Sequence, residues 1–104
     1  MKTISNYKDF QTISNKELCI IIAKTKTCGV CHPLTNKLGM FMKEYPEIPA
    51  YQLYLENVAI FQGQHLVFTV PTILVFSGGK EILRESRFID FSKIERLFDI
   101  YLAE

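Results

Sequence analysis

The run Leu18-Cys19-Ile20-Ile21-Ile22-Ala23 has no polar side to present to water. Six consecutive apolar residues, three of them β-branched isoleucines, suit a strand covered on both faces. A strand buried twice needs layers above and below it, which an α/β architecture supplies with helices. The run is far too short to cross a bilayer as a helix. At 104 residues, the chain is long enough for one domain, 1–104, around a single core.

The segments around this strand alternate in the same sense. Lys2-Thr3-Ile4 reads as a short edge strand, and Ser5 as the N-cap of a helix carrying Tyr7, Phe10 and Ile13. Leu34, Leu38, Phe41, Met42 and Tyr45 form one apolar stripe of a helix that runs to about Tyr45, ended by Pro46 and Pro49. Gln52–Leu55 is a predicted strand and Asn57–Gln64 a short helix. Thr72–Phe76, the turn Ser77-Gly78-Gly79-Lys80 and Glu81–Ser86 make a hairpin. Asp90 caps a last helix whose Ile94, Leu97, Phe98, Tyr101 and Leu102 share a face. The order is βαβαβαββα. Helical crossovers make the first part of the sheet parallel, and the hairpin adds antiparallel strands.

Charge excludes some partners. Twelve Lys+Arg against eleven Asp+Glu leave a formal net charge of +1, and no basic run predicts nucleic acid or an anionic membrane as partner. Lys24 and Lys26 are expected to be solvated. The N-terminus turns polar at once, without the apolar stretch of an export signal, which predicts a cytoplasmic protein. Three cysteines cannot make a disulfide framework, so a paired motif in a reducing compartment points to catalysis or metal binding.

The pair is Cys28-Gly29-Val30-Cys31, followed by His32, placed where the buried strand hands over to a helix. A cysteine attacks as its thiolate, and an unperturbed thiol has a pKa of about 8.5. A helix N-terminus offers unpaired N–H groups and the positive end of the dipole, both of which favour the anion. Cys28 is expected at the helix start, as attacking nucleophile. Cys31, one turn on, would resolve the mixed disulfide. His32 is a candidate modulator of the thiolate, or a plain surface residue.

Two other chemistries fit the motif. Cys28-x-x-Cys31-His32 matches a c-type haem attachment site, but the strand-rich remainder does not suit a small helical cytochrome. Met40 and Met42 lie too near the motif to be distal ligands and read as core. Zinc or an iron–sulfur cluster needs four ligands. Cys19 lies within the apolar run, where it behaves as a small hydrophobe, and His65 has no partner at ligand spacing. No metal ligand is assigned, although one CxxC could still bridge two subunits through a cluster.

Val70-Pro71-Thr72 interrupts an apolar stretch from Phe68 to Phe76. Proline cannot donate to a sheet ladder, so it marks either a strand start or a cis bond that leaves the Val70 backbone open to an extended partner. Phe68 and Thr69 beside it are candidates for an apolar rim or for core filling.

The strand–CGVC–helix unit, Val-Pro-Thr forty positions after Cys31, the Gly-Gly turn and the closing amphipathic helix together resemble the thioredoxin family across essentially the whole chain. The resemblance implies a thioredoxin fold, with a central mixed sheet of four to five strands flanked by about four helices. It implies a thiol–disulfide oxidoreductase, in the reductase direction, that exchanges disulfides with client proteins. Cys28 would be the nucleophile, Cys31 the resolver and Pro71 the cis-proline, with Val70, Thr69, Phe68, Gly29 and Val30 facing clients. It implies no cofactor beyond the Cys28–Cys31 disulfide. Disulfide-containing clients and an upstream thiol reductase would be the partners of a monomer.

The chain departs from the family's pattern in several places. Thr27 stands where a tryptophan is usual, Val30 where a proline is, and Gln52 at about the place of a lysine. Ile22 holds the position of a buried aspartate thought to assist proton transfer from the resolving thiol. These departures keep a second reading open, a thioredoxin-fold adaptor with little redox turnover.

Overall fold

The computed structural model describes residues 1–103. Its elements are β1 (Lys2–Ile4), α1 (Tyr7–Ser14), β2 (Cys19–Lys24), α2 (Cys31–Met42), β3 (Ala50–Tyr54), α3 (Ala59–His65), β4 (Thr72–Ser77), β5 (Lys80–Ser86) and α4 (Phe91–Leu102). The strands form one mixed sheet in the order β1-β3-β2-β4-β5. β2 runs parallel to β3, with Lys24 opposite Tyr54, and antiparallel to β4, with Ala23 opposite Thr72. The isoleucine run is therefore the central strand, and every β2 residue is buried.

Strand alternation divides β2 between two apolar clusters, one on each face of the sheet. Cys19, Ile21 and Ala23 pack with Phe10 of α1 and Phe61 of α3. Ile20 and Ile22 pack with Leu38 and Met42 of α2 and with Ile94 and Phe98 of α4. The result is three layers, helices on both faces of the sheet.

Local chemistry sets the ends of the elements. Asn6, not Ser5, caps α1: its Oδ1 accepts the Asp9 N–H at 2.8 Å. Asp90 Oδ1 accepts the Ser92 N–H at 3.0 Å and caps α4, as its residue type predicts. α2 stops at Met42, three residues short of Tyr45, which stays buried with its hydroxyl 3.0 Å from Asp99 Oδ1. β3 and α3 each lie one or two residues away from the ranges read from the sequence.

The β4–β5 turn needs its glycines. Gly78 and Gly79 have φ of +58° and +83°, and a Cβ on Gly79 would lie 2.7 Å from Asn15 Oδ1. Met40, expected in the core, is exposed, because it projects from the outer side of α2 while Leu38 and Met42 face the sheet. Tyr101 and Leu102 are also exposed, and the Tyr101 hydroxyl ties the last turn of α4 to Ser77 and to the Glu17 carbonyl.

Candidate active site at the end of the central strand

β2 ends at Lys24, and a short turn follows before α2. The Cys28 N–H donates to the Thr25 carbonyl at 3.3 Å, and the Cys31 N–H to the Cys28 carbonyl at 3.3 Å. These bonds close a turn rather than a helix. α2 accordingly begins at Cys31 behind an N-cap, Val30, that has no side-chain capping bond. Cys28 thus precedes the helix by three residues instead of starting it. Its sulfur is nonetheless held at the helix N-terminus, because Cys28 and Cys31 are joined in a disulfide with Cα atoms 5.4 Å apart.

The two cysteines differ in access. Cys28 is half-buried and Cys31 is 1% exposed. Gly29 and Val30 between them are exposed, as is His32.

The antiparallel register brings the start of β4 to the same end of the sheet. Thr72 lies opposite Ala23, so Pro71 and Val70 continue alongside the residues that lead into the CxxC turn. The Val70–Pro71 peptide bond is cis. The Thr69 carbonyl accepts the Thr72 hydroxyl at 2.5 Å, and the Pro71 carbonyl accepts the Arg87 N–H at 3.4 Å. Between them, Val70 is half-buried, and among the described residues its backbone N–H and C=O have no partner within the chain.

Phe68 is 72% exposed, so it is not core filler. Phe88, at 91% exposed, was not singled out by the sequence. It follows Arg87, whose φ of +63° turns the chain past Pro71. No pattern separates Phe88 from Ile89 and Phe91, which pack against the core; its place on the loop after β5 decides it.

Lys24 corrects the sequence reading most. It is 4% exposed, not solvated. It shares a strand face with Ile20 and Ile22, one step nearer the cysteines. Its Nζ donates to Thr35 Oγ1 at 2.9 Å and lies 5.1 Å from the centre of the Tyr54 ring. Thr35 Oγ1 in turn donates to the Cys31 carbonyl at 2.7 Å. Lys24, Lys26, Cys28, Cys31, His32 and Tyr54 line a cleft of about 180 Å³. The available signal was position: Lys24 ends an unbroken buried run, in phase with Ile22.

The remaining candidates lie elsewhere. Cys19 is buried on the opposite face of β2, and burial pushes its thiol pKa up to about 11 against the lowering effect of a backbone bond with Phe76. His65 stacks among Phe10, Phe61 and Phe76, with Nε2 3.0 Å from the Tyr7 hydroxyl. Gln52 donates to Thr3 Oγ1 at 2.9 Å, across the β1–β3 edge. Among the described residues, no three His, Cys, Asp or Glu side chains are grouped to hold a metal ion. No described helix is long and apolar enough to cross a membrane.

No protein-family model matches the chain. The thioredoxin-like protein YdfQ of Bacillus subtilis (strain 168) is 32% identical over 96 residues, covering 88% of this chain and 86% of that protein. Thioredoxin-1 of Saccharomyces cerevisiae is 25% identical over 83 residues, covering 80% and 79%. Among solved structures, Plasmodium falciparum thioredoxin superposes with a TM-score of 0.83 at 20% identity, over 97% of this chain and 99% of that one. Fasciola hepatica thioredoxin gives 0.83 at 21% identity, over the same shares.

Proposed function

The chain belongs to the thioredoxin family, and on that premise we propose that it is a thiol–disulfide oxidoreductase reducing client-protein disulfides through Cys28 and Cys31. One observation carries the reading. A half-buried and a fully buried cysteine are paired at a helix N-terminus, at the sheet end where Val70 and Pro71 also lie. An open and a closed sulfur suit two different roles.

In the reduced protein, Cys28 is the accessible sulfur. Its thiolate attacks one sulfur of a client disulfide, and the other client sulfur leaves with the electron pair and takes a proton from water. A mixed disulfide remains. The Cys31 thiolate then attacks Cys28 Sγ, forming the Cys28–Cys31 bond and breaking the bond to the client. Two electrons have passed to the client, which holds two thiols. An upstream thiol reductase returns the pair to the dithiol, and no further cofactor is needed.

Client binding follows from the free Val70 backbone. An extended client segment can pair with it as an added strand. Val30, Phe68 and Phe88 are exposed apolar side chains that can serve this segment as a rim, together with Gly29 and Thr69. A reducing cytoplasm is the compartment that suits the proposed direction.

The test is reduction of a protein disulfide with dithiothreitol as electron source. The wild type should exceed the dithiothreitol background, and Cys28→Ser should fall to it. A wild type no faster than background would leave the adaptor reading. Cys31→Ser should accumulate the mixed disulfide, visible as a covalent adduct on a non-reducing gel.

A further inference from the structure

Building on that redox reading, we propose that Lys24 is a positioning residue for the resolving step, a buried ammonium that stabilises the Cys31 thiolate. The resolving step needs such help. Cys31 attacks only as thiolate, yet it is fully buried, and burial disfavours the anion. Cys19, a buried thiol on the other face of the same strand, has its pKa pushed up to about 11. Among the described residues, no carboxylate lines the cleft beside Cys31 to accept its proton, and the strand face beneath carries Ile20 and Ile22.

That same face carries Lys24 one step further on, and its charge is not cancelled. Among the described residues the ion pairs are Arg84–Glu81 and Lys93–Glu85, neither involving Lys24. The side chain is held in place by Thr35 Oγ1 at 2.9 Å and by the Tyr54 ring at 5.1 Å. Thr35 sits one helical turn after Cys31 and bonds its carbonyl at 2.7 Å, which ties the ammonium to the residue it serves. Burying an unpaired cation is costly, and an apolar side chain would pack there at lower cost. A lysine with no ion-pair partner among the described residues, in the cleft that both cysteines line, fits a counter-ion that appears only on reduction.

Other charged and titratable groups surround the cleft, and Lys43 and the Met1 terminus line the cavity that adjoins it at Lys24. Lys26 lies on the turn, His32 on α2 and Tyr54 on β3. The Glu56 carboxylate accepts the Lys26 N–H at 2.7 Å. Arg87 lies on the Pro71 side. Lys26, His32, Glu56 and Arg87 are exposed, so salt screens them, whereas Lys24 is sheltered. In the step itself, the Cys31 proton passes to water through the cleft. The thiolate beside Lys24 attacks Cys28 Sγ, and the client sulfur leaves as thiolate and is protonated by solvent.

The thiolate absorbance of Cys28→Ser protein reads the Cys31 titration, since burial pushes the one other thiol, Cys19, up to about 11. Adding Lys24→Met, which keeps most of the apolar stem, should raise the Cys31 pKa by about one unit, leaving about tenfold less thiolate at neutral pH. Lys24→Arg should keep the lower value. In otherwise wild-type protein, Lys24→Met should slow release of a client from its Cys28 mixed disulfide by about tenfold at neutral pH, with the deficit closing as pH rises. A Lys24→Met titration coincident with that of the parent would overturn the proposal, even if the variant melts earlier. Absence of client turnover in the wild type would sink only the redox reading, because the Cys31 titration is measured without a client.

Discussion

His65 shows how one residue ties packing to pH. Its imidazole stacks on Phe61 at 4.4 Å and meets Phe10 and Phe76 edge-on. Burial lowers its pKa below the ordinary value of 6.5, helped by Arg84 and opposed by Glu81. The folded state therefore binds a proton less readily than the unfolded chain. The stability this represents is fully present above the unfolded value of about 6.5 and is lost as pH falls from there toward the folded value. Urea midpoints measured from pH 7.5 down to 5 should fall in the wild type, and the fall should be smaller in His65→Phe. Equal slopes would show that His65 is not the group responsible. Only Phe61, four residues back on α3, is a sequence neighbour; the fold brings Phe10 of α1 and Phe76 of β4 to His65.

At the scale of elements, the ends carry the information. α3 terminates at Leu66, which takes the left-handed conformation at φ +53° and donates its N–H to the Gln62 carbonyl. Leucine is a poor residue for that conformation and glycine the natural one. Leu66 is exposed, so little packing is lost on its removal. Leu66→Gly should thus raise stability by about 0.5–1 kcal/mol in chemical denaturation. A loss of stability would show that the exposed side chain is in use. Element identities were legible throughout, because periods of 2 and 3.6 residues are local properties. Element ends were less so. Ser5 and Asn6 are both good caps, and only the 2.8 Å bond from the Asp9 N–H chooses between them. α2 starts late because Val30 has no side chain able to cap it, leaving the turn from Cys28 to set the first helical residue.

For the whole molecule, the central strand is where sequence and architecture meet. Ile22 is fully buried between β3 and β4 and under α2 and α4. Ile22→Asp would place a carboxylate in that apolar cluster, at an expected cost of about 3 kcal/mol or more. That is a large share of the roughly 5–15 kcal/mol total typical of a domain. Urea unfolding at neutral pH measures it, and the loss should shrink in acid as the carboxyl protonates. A loss under about 1 kcal/mol would mean that the new charge finds a partner in the fold, with Lys24 on the same face as the first to test. By itself, the sequence determined the strand–helix alternation, the doubly buried β2, the glycine turn and the CxxC beside it. All of these depend on residue type and short-range spacing. Only the tertiary structure decided what surrounds the cysteines. The strand order β3-β2-β4 brings Tyr54 and Pro71 to the end of β2. α2 then folds back over β2 and turns Lys24 from one charge in a short polar stretch into a buried cation, because burial depends on residues far apart in the chain.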